Sequence, residues 1–335
     1  MMTHPNRTKL TFLVLALLLV SCFIIALSVG YANASIMDLV EVLTGQASKG
    51  MTLIIAKIRL PRILACLLGG GSLALSGLLL QNLTKNPLAD SGILGINSGA
   101  GLVVALVVGY SDLSDITTMA VTPFLAMFGG ISTIVLVYLI SRKKNHGVSP
   151  TRLIIAGIGM SSLLSGLMVT IVSSIDDFKV DFIVSWLSGS ISGGSWSRVI
   201  IFAPALLLIW GITYTKSQSL NIMNLNEQTA LALGLNLHKE RLIVLILSTA
   251  LASLSVVLIG NITFIGLVAG HITRKLLGAN HHLTIPSSII LGMILLLVAD
   301  TIGRVLLVGT GIPTGIIVTL IGAPYFLYLM TKVKL

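Results

Sequence analysis

The sequence predicts an all-α polytopic membrane protein, and three observations support that fold class. Of the 335 residues, 55% are hydrophobic and 10% are charged, whereas about a quarter of the residues of a soluble domain are charged. Apolar stretches of about 20 residues, the length that crosses a bilayer as a helix, recur along the chain. An outer-membrane barrel would instead alternate apolar and polar residues in segments of about ten. The composition therefore excludes a soluble enzyme, a disordered chain and a secreted disulfide scaffold.

The apolar stretches predict ten transmembrane helices in a single membrane domain that covers residues 1–335. In chain order, the predicted spans are 10–30, 58–82, 92–110, 117–140, 151–175, 197–215, 241–260, 263–277, 286–307 and 313–331. The first span resembles a signal peptide, but its apolar run of about 20 residues exceeds the 7–15 residues typical of such signals. We therefore expect an uncleaved first helix, and a short eighth one.

A further short helix is predicted between the first two spans. Ser35 and Asp38 have the spacing of a capping box, an apolar run follows, and Gly45 is a typical stop. Within the spans, small residues at helical spacing indicate close helix packing, as with Gly70, Ala74 and Gly77.

The positive charges predict that both termini are cytoplasmic. With the N-terminus inside, 14 of the 21 Lys and Arg residues but only 3 of the 11 Asp and Glu residues fall on the cytoplasmic side. This is the asymmetry of the positive-inside rule. The net charge of +10 is therefore attributed to membrane topology rather than to a nucleic-acid partner.

The chain lacks the sequence patterns of a catalytic or cofactor-binding protein. Its glycine-rich segment, 69–72, has no P-loop lysine. Cys22 and Cys66 lie in apolar runs, and His281 and His282 are predicted to lie in a solvated cytoplasmic turn. We predict that this chain binds no cofactor or metal and catalyses no reaction.

The acidic residues argue against ion-driven transport. Ion-coupled carriers place carboxylates deep in the membrane, whereas all 11 acids here fall in loops or near span ends. Asp300 is the most deeply placed, and Arg304, four residues later on the same helix face, is predicted to pair with it. If the chain transports a solute, its energy is expected to come from a partner.

The longest cytoplasmic loop, 216–240, is predicted to contact another protein. Asn224 or Asn226 can cap a short helix that begins near Glu227, and Gly234 can end it. Leucines at 231, 233 and 235 require an apolar surface, which is either a partner or the chain's own bundle. A second segment, Asn86 to Asp90, is interpreted as a structural turn between the second and third spans, because its proline breaks the helix.

A series of motifs in order along the chain resembles the FecCD/BtuC-type permease subunits of ABC importers. The motifs are Arg59-Leu60-Pro61-Arg62, Gln81 with Asn86-Pro87-Leu88-Ala89, Gly95 with Gly99-Ala100, the run 260–268, Ala299-Asp300 with Arg304, Ile312-Pro313-Thr314-Gly315 and Gly322-Ala323-Pro324-Tyr325-Phe326. Together they cover the chain from about residue 30 onward. Two departures from the family pattern are Gly270 before His271, where a proline is usual, and Gly311, where an acid is frequent.

The resemblance implies a type II, BtuC-like permease fold in the bacterial cytoplasmic membrane. It also implies four kinds of partner: a second permease subunit, either a different homologous chain or an identical one; two ATP-binding subunits, which hold the ATP and magnesium; an extracytoplasmic substrate-binding protein; and membrane lipid. In this family, arginines matching Arg59, Arg62 and Arg304 dock the binding protein, and a loop matching Glu227, Ala230, Leu231, Leu233 and Gly234 couples to the ATPase.

The expected function is therefore that of a permease subunit, with the translocation pathway at the permease dimer interface. Ferric siderophores, of the hydroxamate type, are the favoured cargo. Haem or cobalamin import remains the alternative within the family, and an ion-coupled secondary transporter the alternative from another class.

Overall fold

The computed structural model describes residues 5–30, 36–111, 116–143, 147–191, 195–306 and 312–332. The helices are α1 (Pro5–Ser28), α2 (Ile36–Thr44), α3 (Lys49–Thr52), a π-helical segment (Leu53–Arg59), α4 (Leu60–Thr84), α5 (Ile96–Tyr110), α6 (Ile116–Ser141), α7 (Pro150–Val172), α8 (Asp177–Leu187), α9 (Trp196–Thr215), α10 (Ser217–Met223), α11 (Glu227–Ala232), α12 (Leu237–Ile259), α13 (Ile265–Leu277), α14 (His281–Leu306) and α15 (Thr314–Lys332). Strands β1 (Arg142–Lys143) and β2 (Gly147–Val148) form an antiparallel pair.

The structure confirms the all-α fold class, and each of the ten predicted spans overlaps a helix. Among the described residues, eight helical segments are long and apolar enough to cross a membrane. The other two predicted spans correspond to α5, with 15 residues, and α13, with 13. The short helix predicted between the first two spans is α2, which ends before Gly45 at φ +74°. Its capping residue, Ser35, lies outside the described residues.

Helix α4 is the central element of the bundle. In its most apolar stretch 89% of the residues are buried, compared with 6% for α7. It packs against α12, α13 and α14, and the predicted small residues are at the contacts. A Cβ on Gly70 would lie 2.4 Å from the Gly292 carbonyl oxygen, and one on Gly77 would lie 2.4 Å from the Gly266 Cα. Glycine therefore permits the close backbone approach that holds this bundle together.

We call the end of the bundle near Thr84 the inner end and the end near Arg59 the outer end, following the predicted topology. Helices α5 and α13 are short because the loops before them, 85–95 and 260–264, enter the bundle from its ends. Gly266, in the first turn of α13, lies against Gly77, which is about 10 Å from the inner end of α4 at 1.5 Å per residue.

Asp90 joins these two loops. Its carboxylate accepts hydrogen bonds from the backbone nitrogens of Ser91 at 2.9 Å and Phe264 at 3.0 Å. Phe264 has φ +68° and immediately precedes α13, so the carboxylate satisfies a donor at the start of that helix. Asp90 is buried, which the sequence analysis did not anticipate. The result supports the interpretation of segment 86–90 as structural.

The peripheral helices expose apolar side chains along their outer faces. On α7, for example, Ile155 is 66% exposed and Leu163 is 59% exposed. In a membrane protein these faces contact lipid or another subunit. Helix α7 therefore lies at the rim of the bundle, and α4 in its core.

Candidate functional site

The outer end of the bundle contains a cluster of two arginines, Arg62 and Arg304, around one buried carboxylate, Asp300. Arg62 donates from Nε and Nη2 to Asp300 Oδ1 at 3.0 and 2.7 Å. Arg304 donates from Nε to Asp300 Oδ2 at 3.0 Å, and Thr314 Oγ1 donates to Oδ1 at 3.1 Å. Asp300 has no exposed surface, so two guanidinium groups and a hydroxyl compensate the burial of its charge.

This cluster confirms the predicted pair between Asp300 and Arg304 and adds a member that sequence reasoning missed. A spacing of four on one helix is visible in the sequence, whereas Arg62 is 238 residues away from Asp300. The side chains of Arg62 and Arg304 are 27% and 15% exposed, respectively. Arg62 is therefore the more open of the two to a partner.

Arg59 is placed differently from the prediction. We expected it to present its guanidinium to a binding protein, but it is 5% exposed. Its Nη1 donates to the carbonyl oxygens of Leu27 at 2.6 Å and Ser28 at 3.2 Å, at the end of α1. The last carbonyls of a helix lack intrahelical donors and attract a cation. Arg59 therefore fastens α1 to the start of α4, in contact with its own chain.

The inner end carries the segment predicted to contact another protein, and it is built from α10 and α11. Asn226, one of the two predicted caps, accepts a hydrogen bond from the Gln228 backbone nitrogen at 3.3 Å. After α11, Gly234 adopts φ +80°, and the backbone nitrogen of Leu235 donates to the Ala230 carbonyl oxygen at 3.1 Å. This is the pattern of a glycine-terminated helix, as the sequence predicts.

Within this loop, Ala230 faces the bundle, whereas Leu231 and Leu233 face away from it. Leu231 and Leu233 are 58% and 59% exposed, whereas Ala230 is fully buried in the main core. Ala230 and the partly buried Leu235 therefore pack onto the chain's own bundle, whereas Leu231 and Leu233 project away from it. Contact of these two leucines with a partner stays a prediction. A cleft of about 560 Å³ adjoins them, lined by Glu227, Leu231, Gly234, Leu235, Asn236, Leu237, His238 and Arg241.

An ion pair attaches α11 to α12. Arg241, whose side chain is 7% exposed, donates through Nη2 to Glu227 Oε1. This hydrogen bond and the positive charge of Arg241 lower the pKa of Glu227 below its ordinary value. Nearby, Lys216 Nζ lies 2.9 Å from Glu240 Oε1. The orientation of the leucine-bearing helix is thus fixed to the first turn of α12.

The predicted solvated turn at His281 and His282 is wrong for the first of these residues. His281 begins α14 and is buried, because the side chain of Asn221 on α10 contacts both its backbone nitrogen, at 2.8 Å, and its Nδ1, at 2.9 Å. His282 is exposed and lies edge-on to Tyr214, with ring centroids 5.9 Å apart.

Comparisons with known proteins agree with this architecture over nearly the whole chain. The FecCD transport family matches residues 17–332. The iron(3+)-hydroxamate import system permease protein FhuG of Bacillus subtilis is 37% identical, over 99% of this chain and 99% of the relative. The Fe(3+)-citrate import system permease protein YfmE of the same species is 36% identical, over 97% and 96%. The hemin transport system permease protein HmuU of Yersinia pestis is 32% identical, over 96% of each.

A solved structure shares the fold. A chain of a metal-chelate type ABC transporter in an inward-facing conformation aligns with a TM-score of 0.81 and 31% identity, over 99% of this chain and 100% of that one. The sequence match, the relatives and the shared bundle of helices agree with one another. The chain therefore belongs to the FecCD transport family.

Proposed function

We propose that this chain is the permease subunit of an ATP-driven ABC importer for ferric siderophores of the hydroxamate type, in a bacterial cytoplasmic membrane. The observation that supports this most directly is the end-to-end match to a hydroxamate permease at 37% identity. The match extends through the arginine cluster and the leucine-bearing loop. Haem import is the second candidate, because a hemin permease also matches end to end, at 32% identity.

The outer arginine cluster is proposed as the docking point for a substrate-binding protein. Arg62 is the principal candidate and Arg304 the second, because both guanidinium groups keep partial exposure while Asp300 holds their orientation. Guanidinium groups pair with carboxylates in two-pronged geometry, and such pairs at a rim set encounter rate and register. Arg59 supports the site by holding α1 in place.

The leucine-bearing loop is proposed as the contact with an ATP-binding subunit. Leu231 and Leu233 supply apolar surface outside the membrane-spanning helices, and the adjoining cleft gives a partner a concave surface to enter. Ala230 and Gly234 fix the shape of the loop, and Glu227 fixes its orientation through Arg241. Movement of the ATPase would then be transmitted to α12 and, through Asn82 and Lys85, to the inner end of α4.

The complete transporter in this proposal contains two permease chains, two ATPases and an external binding protein. The second permease is a different, homologous chain, with an identical chain as the alternative, and the pathway lies between the two. Both termini of this chain face the cytoplasm. ATP and magnesium belong to the ATPase subunits, and the chain itself performs no catalysis.

Uptake by cells that lack this chain tests the proposed cargo. We expect uptake of a radiolabelled ferric hydroxamate to be lost on deletion and restored by the wild-type chain, while uptake of ferric citrate and hemin is unchanged. Loss of hemin uptake with hydroxamate uptake intact would contradict the proposal and favour the second candidate.

A double variant, Leu231→Ser with Leu233→Ser, tests the proposed contact with the ATPase. Expressed to the same level as the wild-type chain, it should fail to restore uptake if the loop couples to the ATPase.

A further inference from the structure

A polar cleft at the inner end of the bundle is distinct from both sites described above. It has a volume of about 270 Å³ and is lined by Gln81, Asn82, Lys85, Pro87, Asn224, Arg274, Ala279, His281 and Thr284. The lining comes from the end of α4 and the following turn, α10, the end of α13 and the start of α14. Two of these residues are permanent cations, and the lining contains no carboxylate.

Among the described residues, neither cation of the cleft forms a salt bridge with a carboxylate. Arg274 donates from Nη2 to Gln81 Oε1, its one hydrogen-bond partner among the described residues, although a guanidinium carries five donors. Lys85 Nζ donates to the Leu225 carbonyl oxygen at 2.9 Å. The acid on α11, Glu227, forms its ion pair with Arg241, although the charge of Lys85 also helps to lower the pKa of Glu227. Two cations that converge on a cleft without a carboxylate favour an anionic occupant.

The orientation of Asn82 leaves an acceptor facing the same cleft. Its Nδ2 lies within hydrogen-bond distance of the Leu220 carbonyl oxygen at 3.0 Å, Asn224 Oδ1 at 3.0 Å and His281 Nε2 at 3.2 Å. Because Asn221 Oδ1 accepts from His281 Nδ1, Nε2 of the neutral ring is an acceptor for Asn82. These three acceptors hold the amide nitrogen of Asn82 on one side of the group. The amide oxygen, Oδ1, therefore faces the opposite side.

Two buried polar atoms of the lining have no partner among the described residues: Asn82 Oδ1 and Thr284 Oγ1. The two residues are 5% and 1% exposed. Buried polar groups are normally hydrogen-bonded, and an unmade bond is costly. The cleft therefore presents cationic donors, a hydroxyl and one acceptor in need of a donor.

We propose that this cleft binds a phosphate-type oxyanion that also carries a hydrogen-bond donor. The anionic oxygens accept from Arg274, Lys85 and Thr284, and the donor satisfies Asn82 Oδ1. Inorganic phosphate provides the donor as a P–OH group, and a phospholipid headgroup provides it as a hydroxyl of phosphatidylglycerol. Both have the same recognition chemistry. Occupation would tie the inner ends of α4, α13 and α14 together.

The site is tested with the assembled transporter in phosphatidylcholine nanodiscs, titrated with inorganic phosphate by calorimetry. Arg274→Gln should weaken binding about tenfold or more, the effect of losing one charge-assisted hydrogen bond. Lys275→Gln is the matched control: it removes an exposed positive charge one residue away, outside the cleft. Its affinity should stay within about twofold of wild type. Phosphate that binds at the nucleotide sites of the ATPase subunits should bind equally in both variants, so it does not affect the comparison of their affinities.

Three further measurements identify the source of the phosphate, guard against misfolding and test the need for a hydrogen-bond donor on the ligand. Native mass spectrometry with phosphatidylglycerol should show retained lipid that Arg274→Gln loses and Lys275→Gln keeps, if the headgroup is the occupant. Thr284→Val preserves shape and charge and should weaken binding about fivefold. Sulfate, which lacks a donor near neutral pH, should bind more weakly than phosphate.

The proposal is overturned if neither phosphate nor phosphatidylglycerol binds in an Arg274-dependent manner, since the cleft would then hold only water. It is also overturned if Lys275→Gln is as damaging as Arg274→Gln, since diffuse surface charge would then explain the binding. Neither result depends on which cargo the transporter carries.

Discussion

Asp300 illustrates how a membrane bundle accommodates a buried charge at the residue scale. The carboxylate is fully buried and accepts hydrogen bonds from Arg62, Arg304 and Thr314, which come from α4, α14 and α15. Arg304 also donates to the carbonyl oxygens of Ala26 and Val29 near the end of α1. One carboxylate thus organises four helices at the outer end, and the arginines keep their orientation because it holds them.

Replacing this carboxylate should therefore loosen the outer end. Asp300→Asn keeps the shape of the side chain but leaves two guanidinium groups without their counterion. We expect the unfolding free energy to fall by about 3 kcal/mol. This is the lower end of the range for a broken buried ion pair, because Arg62 is partly exposed. Thermal unfolding of the purified chain in detergent measures this. Asp181→Asn, which changes an exposed carboxylate on α8, should stay within about 0.5 kcal/mol. Equal effects of the two changes would show that the cluster does not contribute to stability.

The residues of the cluster could be predicted individually, but their arrangement could not. The spacing of Asp300 and Arg304 on one helix predicts their pair, whereas the contact with Arg62 requires knowing that α4 lies beside α14. The same limit applies to Arg59, whose partners are carbonyl oxygens of α1. A backbone acceptor leaves no signal in the sequence. His281 was mispredicted for a related reason, because its partner, Asn221, lies on a different helix.

At the scale of elements, apolar length predicted the helices well, and loops that enter the bundle were harder to foresee. The spans predicted at 92–110 and 263–277 became α5 and α13, and Asp90 joins the two loops that precede these helices. Helices α8 and α10 were not predicted, since neither is long enough to cross a membrane. The cap at Asn226 and the stop at Gly234 are local signals, and both are confirmed.

Close packing of α4 predicts which glycines tolerate a methyl group. Gly70→Ala would place Cβ 2.4 Å from a backbone oxygen of α14, so the two helices must separate. We expect a loss of about 1–3 kcal/mol. At Gly166→Ala, on the exposed face of α7, nothing lies within 4 Å, and the change should be neutral or stabilising because alanine favours the helix. Thermal unfolding of both variants tests this, and a similar loss at the two positions would contradict the packing account.

The turn after α11 gives a prediction that separates conformation from packing. Both Gly234 and Gly211 have open space around the missing Cβ, but only Gly234 has a positive φ. Gly234→Ala should therefore strain the turn by about 1 kcal/mol and reduce cargo uptake per ATP hydrolysed. Gly211→Ala should change neither the stability nor the uptake per ATP. The measurement is coupled uptake and ATP hydrolysis in proteoliposomes. Unchanged coupling in Gly234→Ala would remove the turn from the coupling role.

At the scale of the whole molecule, the central claim is that this chain contains no energy source of its own. Its buried acids are engaged structurally: Asp300 with arginines, Asp90 at the start of α13, and Glu240 with Lys216. In the proposed function the leucine-bearing loop receives work from the ATPase, since Leu231 and Leu233 are exposed and the ion pair of Glu227 with Arg241 fixes the loop's orientation. The sequence analysis predicted from the placement of the acids and leucines that the energy comes from a partner, and this stays a prediction.

Uptake of ferric hydroxamate into proteoliposomes tests this claim most directly. With the ATPase, the partner permease and the binding protein present, we predict accumulation that requires ATP, stops with vanadate and persists with an uncoupler. The same vesicles without ATP, or with this chain alone, should accumulate nothing under a proton or sodium gradient. Accumulation driven by an ion gradient in the absence of ATP would contradict the account.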